Sequence, residues 1–241
     1  MTTPLPKPRI LMLHGGGVSG EIFTIQTRKL IWRLQSHFEF IFLDAPWVCA
    51  PGPGVLPFFA DAGPFYRWAR WHHSEDPDRL LNRLKQALSK PGGEWVGVLG
   101  FSQGGRLAAG LCWEQEHGAK GLDVLLPGLR FRFAVLVGSA WPLLLLEQEV
   151  PSGGLKENVE WDGRYEESIR VPSVHMIGKK DHVAPMADLT SRCFEQGKRK
   201  ILRPDTGHNM PLDEGENGEL CDAVLEAYKA GGGIIHDEAG V

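Results

Sequence analysis

Residues 95–113 constrain this chain most. Trp95-Val96-Gly97-Val98-Leu99 is short, apolar and β-prone, and Gly105 to Trp113 has the composition of a buried helix. Between them lies only Gly100-Phe101-Ser102-Gln103-Gly104, a small-x-Ser-x-small turn. A strand that folds back on a helix through so short a bend puts the serine at its apex, and glycines two positions to either side remove side chains that would collide. The bend lifts the Ser102 hydroxyl off the sheet and aims a helix N-terminus at whatever it meets. A Gly-rich loop with a turn-forming serine is the alternative in a chain holding 30 glycines, and the flanking strand and helix argue against it.

The same alternation recurs along the chain. Arg9-Ile10-Leu11-Met12-Leu13 predicts a buried strand that ends in His14-Gly15-Gly16-Gly17. Those glycines leave N–H groups able to face an anion, or else form a tight strand-to-helix turn beside a packed His14. Residues 21–35 carry Ile22, Ile25, Leu30, Ile31 and Leu34 at helical spacing, and residues 38–43 read as the next buried strand. Asp76-Pro77 predicts a capped helix start, with Leu80, Leu81, Leu84 and Leu88 following. Further strands are expected at 133–137, 172–178 and 198–202, and a closing helix at about 218–230. Strands alternating with helices predict a mostly parallel sheet flanked by helices.

Residues 45–74 break the pattern. Pro and Gly recur there, yet the segment holds Trp47, Phe58, Phe59, Phe65, Tyr66, Trp68 and Trp71. So many rings argue against disorder, so the segment reads as a cap or pocket wall, or as a loop sealed by its own aromatics. Trp47, Phe65, Trp68 and Trp141 are the candidate pocket residues. Leu143 to Leu146 would line a pocket or join the core. His72-His73 suggests a surface pair rather than a metal site, since adjacent side chains diverge and no third ligand is placed.

Three chemistry-bearing residues follow predicted strands in the order Ser102, Asp181, His208, which is the chain order of the α/β-hydrolase triad. A serine hydroxyl needs a neighbouring base, and an imidazole with its ordinary pKa of about 6.5 can take and return a proton near neutral pH. Asp181 would fix the imidazole tautomer. Asp205, three residues before His208, is the alternative acid, but Asp181 has the position after a strand where ligands collect in α/β sheets. His175 falls inside a strand, and His182, next to the acid, is expected to point away from it. The amides of Gly16 and Gln103 are the candidate oxyanion donors.

Composition narrows what the chain can do. At 241 residues one domain is expected over 1–241, with 231–241 as a tail. A net charge of -4 and pI near 6.1 give no basic field for nucleic acid. Cys49, Cys112, Cys193 and Cys221 show no C-x-x-C spacing, so neither a zinc site nor a disulfide framework is expected, and a reduced cytoplasmic setting fits. No signal peptide is read at 1–8, no apolar run is long enough to span a bilayer, and no internal repeat is present.

The chain resembles the serine-hydrolase family of fungi and animals that includes the ovarian-cancer-associated hydrolase. The resemblance lies in the Leu-x-Leu-His-Gly opening, Phe42-Leu43-Asp44-Ala45-Pro46, the Gly-Phe-Ser-Gln-Gly elbow, the Pro-Ser-Val-His-x-x-Gly-x-x-Asp strand and loop, and Gly-His-x-x-Pro at the base. Gly15-Gly16-Gly17, residues 51–57 and residues 63–68 look like the fungal branch found with polyketide pathways. The resemblance implies an α/β-hydrolase fold, a Ser102-Asp181-His208 triad, no cofactor, and an apolar acyl ester or thioester substrate. It further implies the acyl-carrier domain of a polyketide synthase as a partner. Lys179-Lys180 departs from the family pattern on the surface a substrate or carrier approaches. A carboxylesterase on small oxyesters, an acyltransferase and a non-catalytic binding protein are the other readings of the same residues.

Overall fold

In a computed structural model, the structure describes residues 6–69, 77–118, 122–146, 161 and 163–235. Six strands form one sheet: β1 (Arg9–Leu13), β2 (Glu39–Leu43), β5 (Trp95–Phe101), β6 (Leu129–Val137), β7 (Ser173–Met176) and β8 (Arg199–Leu202). Two shorter ones, β3 (Trp47–Cys49) and β4 (Phe65–Arg67), pair with each other as a separate antiparallel ribbon. The order across the large sheet is β2-β1-β5-β6-β7-β8, and every pairing in it is parallel.

The central strands are largely buried, and β1 and β5 are mostly apolar, because both faces of the sheet are covered. Along β1, Leu11 and Leu13 enter one core cluster while Ile10 and Met12 enter the other. The first cluster lies under α3 (Pro77–Leu88), α4 (Gln103–His117), α5 (Leu122–Leu125) and α6 (Ala184–Arg192). The second is covered by α1 (Gly20–Gln26), α2 (Arg28–Leu34) and α7 (Glu214–Ala230).

The chain leaves β1 for β2 on one side and returns to β5 on the other, so the loops after β1 and β5 face each other across the switch point. The parallel register aligns the strand ends: Leu13 with Gly100, Phe101 with Val137, Val137 with Met176, and Met176 with Leu202. Residues 14–17, 102, 138–140, 177–181 and 203–208 therefore share one rim.

Several elements differ from the sequence reading. The helix expected over 21–35 is two helices, because the buried Thr27 hydroxyl donates back to Phe23 O at 2.7 Å and the chain bends there. Ile25 is consequently exposed, while Phe23 is fully buried. β2 is an edge strand and only half-buried rather than a core strand. β6 starts at Leu129, earlier than expected, since Arg130 and Arg132 interrupt its apolar run. α7 starts at Glu214, where the Asp213 carboxylate caps it by accepting from Gly215 N–H at 2.7 Å and Glu216 N–H at 3.2 Å. Gly215 and Gly218 hide that turn from a helix reading.

Residues 45–69 are turn-rich, with β3 and β4 pairing from either end. β4 runs on into the loop after β1, with Gly17 N–H donating to Tyr66 O and Tyr66 N–H to Val18 O, both at 2.8 Å. His72, His73 and the expected cap Asp76 lie outside the described residues, as do Trp71, residues 147–160 and the tail beyond 235. Residues 141–146 lie along α4: Arg106 Nε donates to Pro142 O at 2.6 Å and Leu144 N–H to Arg106 O at 3.1 Å. Leu143 to Leu146 join the core cluster there, as one of the two readings expected.

Candidate active site

Ser102 is the N-cap of α4 and has φ 51° and ψ -114°, a strained conformation for a residue with a side chain. Neighbouring backbone holds it there. Its N–H donates to Val137 O at 3.0 Å, and its carbonyl accepts from Gly105 and Ala140 N–H. The flanking glycines are sterically required: a Cβ on Gly100 would meet Gly104 O at 2.4 Å, and one on Gly104 would meet Leu13 O at 2.1 Å.

His208 arrives on the loop after β8, and its Nε2 lies 2.9 Å from Ser102 Oγ. Its Nδ1 lies 2.9 and 3.0 Å from the two oxygens of Asp181, on the loop after β7. Since a carboxylate only accepts, Nδ1 carries the proton and Nε2 is left to accept from the serine hydroxyl. The Asp181 side chain is buried, which alone would push its carboxyl up. The hydrogen bonds from His208 and from Val183 N–H, with the positive potential of His208 and His182, outweigh burial and hold it below the ordinary carboxylate range.

The alternative acid, Asp205, is elsewhere. It pairs with Lys180 Nζ at 2.9 Å on the exposed surface, and that pair accounts for one of the two lysines before Asp181. His175 is fully buried in β7, where its Nε2 lies 3.0 Å from Ser173 Oγ. Burial, aided by the Arg199 charge, pushes its pKa down to about 3. His182 does not point away as expected. Its Nδ1 lies 3.8 Å from Asp181 Oδ1 and its ring meets that of His208 with centroids 5.1 Å apart.

Gly16 and Gln103 face each other across the switch point; a Cβ on Gly16 would sit 3.5 Å from Gln103 Oε1. Gln103 is the first residue of α4, so its N–H has no acceptor within the helix. Its buried side chain ties the elbow to the end of the β3–β4 ribbon: Trp68 N–H donates to Oε1 at 2.6 Å and Nε2 donates to Ala69 O at 3.0 Å. The Trp68 indole N–H donates to His14 O at 2.7 Å.

His14 is itself buried, and accepts at Nε2 from Ala45 N–H at 3.0 Å while Nδ1 faces Gly15 O at 2.6 Å. Desolvation pushes its pKa down to about 4, so it is a neutral strut between the ends of β1 and β2. Asp44 adds a second strut by accepting from Gly20 N–H at 2.7 Å. Of the candidate pocket residues, Trp68 is fully buried and Trp47, Phe65 and Trp141 nearly so; Phe58, by contrast, is 86 % exposed.

Gly138, after β6, carries no signal in the sequence beyond its place at a strand end. Its φ is +50°, and a Cβ there would stand 2.9 Å from Asp181 Oδ2 and 3.0 Å from His208 Nδ1. Together Asp181, His208 and Ser102 form a line of groups that can withdraw a proton from Ser102 Oγ.

The family described as Serine hydrolase (FSH1) matches residues 1–219 of this chain. The chain belongs to the FSH1 serine hydrolase family. Among FSH1-like relatives, it is 32 % identical over 247 residues to esterase citA of Monascus ruber, covering 93 % of this chain and 91 % of that one. It is 31 % identical over 242 residues to thioesterase FSL2 of Gibberella zeae, covering 92 % of each. Among solved structures, Zea mays acyl-protein thioesterase 2 superposes with a TM-score of 0.55 at 17 % identity, over 94 % of this chain and 96 % of that one. This FSH1 member therefore has the α/β-hydrolase fold, and two short strands of its aromatic-rich segment pair as the β3–β4 ribbon. It is a serine hydrolase of the esterase and thioesterase kind. No described helix is long and apolar enough to cross a membrane.

Proposed function

We propose that the protein hydrolyses an ester or thioester of an apolar, polyketide-like acyl group through an acyl-enzyme on Ser102. The observation that carries this reading is the continuous hydrogen-bonded line from Ser102 Oγ through His208 to Asp181. As Oγ attacks the acyl carbonyl, its proton passes to His208 Nε2, and the imidazolium is stabilised by Asp181. The oxyanion is met by Gly16 and Gln103 N–H groups. His208 returns the proton to the departing alcohol or thiol, then draws one from water that releases the acid and restores Ser102.

The apolar acyl preference is supported by the aromatic content of residues 45–74. The polyketide-like class, with the carrier domain of a synthase as thioester donor, rests on the sequence resemblance to the fungal branch. A fluorophosphonate probe should label the wild type and not Ser102→Ala, and equal labelling of both would overturn the nucleophile assignment. Matched thioesters and oxyesters of increasing chain length, with products identified by mass, then read the leaving group and acyl class. Preference for short oxyesters would replace this substrate with a carboxylesterase one.

A further inference from the structure

Arg67 has no part in the acyl-enzyme chemistry above, yet its neighbours in the chain bind both loops from which Gly16 and Gln103 come. Tyr66 O accepts from Gly17 N–H and Tyr66 N–H donates to Val18 O, both at 2.8 Å, while Trp68 N–H donates to Gln103 Oε1 at 2.6 Å. The backbone of Arg67 is therefore held between the loop after β1 and the elbow. Alternation along β4 turns its side chain away from the face of Tyr66, onto the face it shares with Trp47 directly across the ribbon and with Cys49 on the diagonal. On that face the Cys49 thiol, pushed up in pKa by burial, is drawn the other way by the Arg67 charge and by the Gly17 backbone. The cation and Gly17 thus border the same thiol.

The guanidinium is also without a counter-ion. Arg67 is half-buried, and its Nε is sealed from solvent with no acceptor. Among the described residues no carboxylate pairs with it, whereas Arg33 meets Glu214 at 3.2 Å, Arg83 meets Asp44 at 3.8 Å and Arg132 meets Glu94 at 2.9 Å. The one other charged residue between 45 and 69 is Asp61, which is exposed. A buried N–H left without a partner costs folding free energy, so an acceptor brought from outside has something to gain there. The planar fork of a guanidinium matches two-oxygen anions, carboxylate or phosphate, through paired hydrogen bonds.

We propose that Arg67 is a specificity-determining residue that receives an anionic group, carboxylate or phosphate, borne by the ester at a distance from the scissile carbonyl. The protein then favours esters that carry such a charge over neutral ones. The proposal rests on the reading of Ser102 as the nucleophile of an acyl-enzyme.

The experiment compares kcat/KM for three thioesters: neutral butyryl-N-acetylcysteamine, glutaryl-N-acetylcysteamine with a carboxylate on the acyl chain, and butyryl-coenzyme A with phosphates on the leaving arm. Wild type, Arg67→Gln, Arg67→Lys and Ser102→Ala are assayed. In Arg67→Gln the ratio of an anionic ester to the neutral one should fall about 10-fold, through the KM of the anionic ester. Arg67→Lys, which keeps the charge and loses the fork, should regain part of it. Loss for the glutaryl ester alone puts the anion on the acyl chain, and loss for the coenzyme A ester alone puts it on the leaving arm; either upholds the proposal, as does loss for both. A merely structural role would lower all three esters in step, with the melting temperature, and leave both ratios where they were. Should Arg67→Gln not fold, Arg67→Lys and salt decide: the wild-type ratio should drop severalfold between about 0.05 and 0.5 M NaCl. Ratios unmoved by the substitutions or by salt overturn the proposal, as does a wild type that hydrolyses neither anionic ester. If Ser102→Ala hydrolyses the neutral thioester as fast as wild type, it is the underlying reading that fails instead.

Discussion

At the scale of single residues, the site depends on what is missing at 138 as much as on what is present at 102, 181 and 208. Gly138→Ala would force an L side chain into a left-handed conformation, at about 1 kcal/mol, and press its methyl against Asp181 and His208. We expect kcat/KM to fall by roughly 10²-fold, with only a few degrees lost in melting temperature. A variant that melts normally and turns over at the wild-type rate would show that the Asp181–His208 pair tolerates displacement. Ser102, Asp181 and His208 are legible in the sequence because each follows a predicted strand and they occur in the order serine, acid, histidine. Gly138 carries no such mark among 30 glycines. The direction of His182 is also illegible, since a loop side chain takes its orientation from what packs around it rather than from its neighbours in the chain.

At the scale of elements, the β3–β4 ribbon acts as a splint for the two loops that face Ser102. Its contacts run from Tyr66 to residues 17–18, from Trp68 to His14, and from residues 68–69 to the Gln103 side chain. Replacing Trp68 with Phe removes the indole donor and leaves His14 O buried without it, at about 2–3 kcal/mol. The melting temperature should drop by on the order of 5–10 °C, with kcat falling and KM little changed. Unchanged kcat in a destabilised variant would separate the ribbon from catalysis. Nothing in the sequence hints at this ribbon's pairing: three-residue strands between prolines and glycines are too short to show a periodicity. By contrast β1 and β5 are plain, because strands covered on both faces read as nearly unbroken apolar runs. That signal says how apolar a strand is but not how many neighbours it has, so β2 reads as a core strand when it is the edge.

At the scale of the whole molecule, two buried neutral histidines couple folding to pH. With His14 down at about 4 and His175 at about 3, the unfolded chain takes up protons below about pH 6.5 that the folded one refuses. Stability is thus intact above pH 6.5 and is lost as pH falls towards 4. Asp181, held below the ordinary carboxylate range, adds its own loss only at lower pH still. Urea midpoints should decline steadily from about pH 7 to pH 4, and His175→Gln, which keeps a polar partner for Ser173, should flatten that decline. An identical slope in the variant would remove His175 as a cause.

The shared rim of strand ends has a further consequence in time. Its parts lie at chain positions 14, 102, 138, 181 and 208, and Ser102 and His208 alone are 106 residues apart. Contacts so distant along the chain form late, after local helices. Reactivity at Ser102 should then lag the return of far-ultraviolet helical signal during refolding, and a fluorophosphonate pulse would date the moment at which the last strand, β8, takes its place.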